Sequence, residues 1–209
     1  MAIQNLLMKN LIRICLLFSL LQSFTNAEFI VQSYQEIKNQ RVTRQSYEES
    51  CGTSSLATLL NILNKSNFTE LEILKTMNES KLNTDMVSFT DLKAAVQKLG
   101  FKANSYSLDR EILNQLVKIP ILVKIENDPR FPHFVVIINH KGNYLQIFDP
   151  SYGEYISSKR EFYSIWDRHK KGGYALIIAP KKDLQSFNLI PNLTLPHSLN
   201  LIFSPFSLH

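Results

Sequence analysis

Apolar side chains recur along this chain with two different periods, and the change from one to the other divides it. Over residues 51–63, Leu56, Leu59, Leu60 and Leu63 return at three- and four-residue spacing, and Ala57 and Ile62 widen the stripe. That period predicts a central helix packed on more than one side. A shorter helix is predicted over 69–77, with Thr69 as N-cap and acids in its first turn. Ser88-Phe89-Thr90-Asp91 has the layout of a capping box with Asp in the Glu position. It introduces Leu92, Ala95, Val96 and Leu99, and Gly100 is placed to end the helix. Beyond Gly100 the period shortens. Residues 101–108 predict a strand and 109–117 one more short helix before Pro120. β-type runs follow at 121–125, 134–138, 144–148 and 174–178. Gly142-Asn143 marks a hairpin between the second and third of these. Helices first and antiparallel strands second predict an α+β domain.

The two ends of the chain read differently. Lys9 and Arg13 precede the apolar stretch 14–21, which is too short to span a bilayer, and Thr25-Asn26-Ala27 offers small residues after it. This is the layout of a secretory signal peptide over 1–27. An uncleaved N-terminal anchor is the other reading. The expected organisation is therefore signal peptide 1–27, folded domain 28–180 and a C-terminal tail 181–209. Export would leave the protein in the periplasm or outside a bacterial cell. Residues 28–44 are polar and predict an extended lead-in. The tail carries Leu193, Leu195, Ile202, Phe203 and Phe206, too apolar for a typical disordered segment, and is suited either to wrapping the domain or to binding a partner.

Cysteine usage sharpens the picture. Loss of residues 1–27 would remove Cys15 and leave Cys51 alone. A lone cysteine in an exported protein is a core residue, an intermolecular link or a reactive thiol. With no second cysteine and no clustered histidines, neither a zinc nor an iron–sulfur site is expected, and no cofactor or metal is called for. The net charge of +5 comes from scattered basic residues without aromatic interleaving, which argues against a nucleic-acid partner.

The chemistry centres on Cys51. It opens its predicted helix, near the positive end of the helix dipole, a setting that favours a reactive thiolate over an inert core thiol. His133, behind Pro132 and ahead of an apolar strand, is the natural base. Folding the chain back around residues 141–143 brings Asp149, at the end of the next strand, across the ladder towards it, provided the register keeps both on one face. A carboxylate there would hold one ring nitrogen and leave the other for the thiol. Gln45, tethered six residues ahead of Cys51, could fold back beside the Cys51 N–H as a second donor to an oxyanion.

Gln45 with Cys51-Gly52, the segment His133-Phe134-Val135-Val136-Ile137, and Asp149-Pro150 with Gly153 resemble the bacteriocin-processing, double-glycine leader peptidases. The resemblance runs over about residues 44–179. It implies a papain-like cysteine peptidase fold, with N-terminal helices packed on a C-terminal antiparallel sheet. It also implies roles: Cys51 nucleophile, His133 base, Asp149 orienter, Gln45 oxyanion donor. Members often carry Asp immediately before the cysteine; here that position is Ser50, preceded by Glu48 and Glu49. The expected activity is endopeptidase cleavage of an exported peptide or protein, with small, Gly-Gly-like residues as the candidate cleavage preference and an envelope or secretion-system partner. Two other uses of the same site are a non-cleaving peptide-binding module and an acyltransferase or deamidase.

Overall fold

The computed structural model describes residues 4, 8–16, 31–64, 66–77, 87–128, 131–140 and 142–179. The cleavage point expected at 25–27 and the tail 181–209 lie outside the described residues. Two compact units are present, residues 1–33 and 34–209. In the first, residues 8–16 are helical with Leu11, Ile12, Ile14 and Leu16 exposed. Among the described residues no helix is long and apolar enough to cross a membrane.

The second unit runs α1 (Tyr34–Asn39), a 3₁₀ turn (Glu48–Ser50), α2 (Cys51–Asn64), α3 (Glu70–Thr76), α4 (Phe89–Lys98), β1 (Lys102–Leu108), α5 (Arg110–Gln115) and β2 (Pro120–Asp128). β3 (Phe131–Asn139), β4 (Tyr144–Asp149), β5 (Gly153–Ser158), α6 (Lys159–Trp166) and β6 (Gly173–Ala179) complete it. The strands form one six-stranded antiparallel sheet in the order β1-β6-β2-β3-β4-β5. The α+β expectation holds, and the predicted helix starts are visible as caps. Thr69, Ser88 and Asp109 accept from Glu72, Asp91 and Ile112 N–H groups respectively, each cap contributing on the order of 1 kcal/mol.

Alternation along the central strands covers both sheet faces. Leu122, Val136 and Phe148 pack with Leu56, Leu59 and Leu60 of α2 and with Leu92 of α4. Ile121, Val123, Val135 and Ile147 point to the other face, against Leu113 of α5 and Phe162 and Trp166 of α6. The sheet is thus buried on both sides.

Two segments depart from the sequence expectation. Residues 34–39 are helical rather than extended, and none of the six is buried. Tertiary contact holds this turn of helix in place: α1 lies so close to the start of β5 that a Cβ on Gly153 would come within 2.6 Å of Lys38 and 2.7 Å of Asn39. Gly153 is also at φ +89°, where a side chain is strained. Arg41, just after α1, clasps Glu154 through Nε (2.9 Å to Oε2) and Nη2. The second departure is β5 with α6, which no expectation covered. β5 is short and mixed in character, although the Ser158–Glu161 capping box that starts α6 was present in the sequence.

Candidate active site

Helix α2 drives its first turn into the sheet. Gly52 allows it: a Cβ there would overlap Val87 Cγ2 and lie 3.3 Å from the Phe134 ring. Ser55, one turn on, donates to the carbonyl of Phe134 (2.8 Å), so the start of α2 is bonded to the residue following His133. The approach loop is fixed from two sides. Ser50 Oγ donates to Tyr47 O (2.8 Å) and accepts from Tyr47 N (3.2 Å), closing the 3₁₀ turn. Glu70 of α3 accepts from Ser46 Oγ (2.6 Å) and Ser46 N (3.1 Å).

His133 reaches this helix end from the entry of β3. Its Nε2 donates to Asp149 Oδ1 at 3.0 Å, and the Cys51 side chain lies near enough to the ring to act on its pKa. The pairing of Val136 with Phe148 explains the bond to Asp149. Continuing that register sets Asp149 opposite Val135, so His133 is its diagonal neighbour on the same face. Burial alone would press the imidazole pKa down. The hydrogen bond to Asp149 and the nearby Cys51 side chain, reinforced by their charges, overcome it and raise the value from an ordinary 6.5 to about 10. Asp149 is held in turn by the Ser151 and Tyr152 N–H groups, both on Oδ1 (2.7 and 3.1 Å). Its Oδ2 is buried with no partner among the described residues, as is the Tyr155 hydroxyl.

Gln45 joins the same assembly. Its N–H donates to Pro150 O (3.2 Å) and its Oε1 accepts from Ser151 Oγ (2.9 Å), tying it to the Asp149 turn. Its Nε2 donates to Tyr47 O (3.0 Å) and, more weakly, to Glu48 O (3.5 Å), carbonyls of the loop that leads to Cys51. All four residues singled out in the sequence therefore meet in one place. The sulfur is set deeper than the sequence suggested: Cys51 is 1% exposed and Asp149 0%, whereas the His133 side chain is 22% exposed. The close helix–sheet contact at Gly52 accounts for that depth, and the site opens to solvent on the imidazole side.

A sequence model of the peptidase C39 family matches residues 39–183. The chain belongs to the peptidase C39 family. Among its relatives is the probable functional amyloid protease FapD of Pseudomonas aeruginosa, 30% identical over 141 residues. That match takes in 66% of this chain and 62% of FapD, so the chain spans under two thirds of this relative's length. Among solved structures, the peptidase domain of Streptococcus ComA, a bi-functional ABC transporter involved in a quorum sensing pathway, superposes with a TM-score of 0.57. It is 26% identical and covers 67% of this chain and 98% of its own. A double glycine motif protease from an AMS/PCAT transporter, solved with its leader peptide, gives a TM-score of 0.55 at 26% identity, covering 66% of this chain and 90% of its own. The fold is that of the papain-like peptidase domains of this C39 family.

Sequence reasoning missed Ser55, Glu70 and Ser151, which position the four residues. Ser55 had a signal: Thr53-Ser54-Ser55 is a polar run inside an otherwise apolar helix. Glu70 and Ser151 act across 24 and 106 residues of chain, and nothing local marks them.

Proposed function

We propose that this protein is a cysteine endopeptidase in which Cys51 is the nucleophile, His133 the base and acid, Asp149 the group that orients His133, and Gln45 an oxyanion donor. One observation carries the reading: His133, at the entry of β3, is bonded to Asp149 on one ring nitrogen and lies beside the Cys51 side chain at a helix start. His133 has taken the Cys51 proton before the attack, so sulfur adds to the scissile carbonyl carbon as a thiolate beside an imidazolium. The Cys51 N–H and Gln45 Nε2, released from its long bond to Glu48 O, hold the oxyanion. His133 then protonates the leaving amine, and a water it deprotonates hydrolyses the thioester to free Cys51.

The relatives support a substrate class. One is named for functional amyloid and another was solved with a leader peptide. We place the substrate among exported peptides or proteins, cut after small, Gly-Gly-like residues. With the basic, apolar and small-residue order of residues 1–27, this supports export of the domain 28–180 to the periplasm or beyond, with an envelope or secretion-system partner. N-terminal sequencing of the purified mature chain tests the cleavage point.

The deciding experiment treats the protein with a peptide carrying a thiol-reactive group after Gly-Gly and maps the adduct by mass spectrometry. Modification confined to Cys51, blocked by a competing Gly-Gly peptide, is the expected result. Product masses showing cleavage rather than transfer separate hydrolysis from acyl transfer or deamidation. A site that binds the peptide but neither labels nor cuts would make the protein a binding module instead.

A further inference from the structure

The face of the sheet turned away from α2 carries a basic concavity of about 520 Å³ between α5, α6 and the turn after α6. Arg110, Lys159, Arg160, Arg168 and Lys170 line it together with Tyr163 and Ser164, and among the described residues no acid does. These cations lie up to sixty residues apart in sequence, which is why the chain showed only scattered charge. Folding gathers them.

Their partners divide them into a fixed floor and an unpaired rim. Arg110 is held by Asp167, through Nε to Oδ2 (2.6 Å) and Nη2 to the carbonyl (2.8 Å), with its guanidinium 5.0 Å from the Tyr163 ring centre. The Lys159 ammonium is positioned by a neutral group: Asn114 Oδ1 accepts from Lys159 Nζ (2.8 Å) and from the Tyr163 hydroxyl (3.0 Å). Its charge is therefore placed but not neutralised, and burial lowers its pKa. Arg160, Arg168 and Lys170 are exposed and make no ion pair among the described residues. Excess positive charge this concentrated costs self-repulsion that an anionic ligand relieves.

We propose that this concavity is a docking site for an acidic segment of a polypeptide. Guanidinium groups pair bidentately with carboxylates, and the rim offers two of them beside an aromatic ring and a hydroxyl. A concave surface suits an extended chain better than a flat bilayer. Its position also matters: α6 packs on the face opposite α2, so a partner held here leaves the Cys51 side of the sheet open.

The test measures fluorescence anisotropy of a labelled glutamate-rich peptide with the full chain and with the Arg160→Glu/Arg168→Glu double variant. Circular dichroism confirms that both are folded. We expect saturable binding that weakens with added salt and falls at least about tenfold in the double variant. The Cys51→Ala chain should bind like wild type, which separates this proposal from the catalytic reading. Equal binding by the double variant overturns it. So does a chain that ignores the peptide and instead binds vesicles rich in anionic lipid, or inorganic phosphate alone.

Discussion

The β3–β4 ribbon presents a histidine at each end, and the two are wired differently. At the hairpin end, His140 Nε2 meets the side-chain oxygen of Gln146 (3.1 Å), and Gln146 Nε2 donates to Glu154 Oε1 (2.6 Å). Glu154 is already clasped by Arg41. An amide thus stands between imidazole and carboxylate, and a guanidinium neutralises that carboxylate. At the open end, His133 bonds Asp149 directly, and Asp149 is held by backbone N–H groups rather than by a cation. Both ends use one histidine and one acid. The open end differs in setting the acid directly against the ring, with no arginine to neutralise it and a thiol beside it.

Removing each histidine in turn should give the widest split between the two ends. His133→Ala should lower kcat/KM on a Gly-Gly peptide by on the order of 10⁴ or more, whereas His140→Ala should leave it within about threefold. Comparable losses in both variants would deny the open end its special role. Asp149→Asn comes next. It keeps a hydrogen-bonding partner but removes the charge, and kcat should drop on the order of 10²–10⁴. It should also move the alkaline limb of the pH–rate profile. In the wild type that limb should fall near pH 10, where His133 loses its proton. Without the Asp149 charge it should fall at lower pH, and an unmoved limb would show that Asp149 does not act on His133.

The same shift has a stability consequence with a definite sign. The His133 pKa is raised on folding, so the stability it confers is fully present below about pH 6.5. That contribution is lost as pH rises through about 10. Gln45→Ala is expected to cost about 10²–10³ in kcat with little change in KM, read from initial rates on the same peptide. The smallest effect is on stability. Ser55→Ala removes the buried bond from α2 to the carbonyl of Phe134. Unfolding by urea should report a loss of about 0.5–1.5 kcal/mol. A loss within error would mean that the apolar contacts of α2 suffice to seat Cys51 beside β3.

Much of the site was legible because its chemistry lies at ends of elements that local rules can find. Cys51 follows a polar turn and opens an apolar stripe; Asp149 is the last residue of a strand that a tight turn returns beside His133. A separation of sixteen residues across one hairpin is short enough for register to be inferred. Gln45 was legible as a neighbour of Cys51, but its bonds to Pro150 and Ser151 were not, since they close a loop of more than one hundred residues. The helix over 34–39 was hidden for a related reason. With no buried face it has no period to read, and its contact with Gly153 and β5 holds it.

Local rules alone give the elements with strong period or caps, α2 to α4 and the central strands, and pick out the four side chains that gather around the start of α2. These depend on spacings of three, four or two residues and on hydrogen bonds within one turn. Folding of the whole chain was needed to bring β6 back between β1 and β2, to cover both sheet faces, and to gather five scattered cations in one hollow. Those outcomes depend on burying two apolar faces of one sheet at once, a condition on the whole chain that no short window contains.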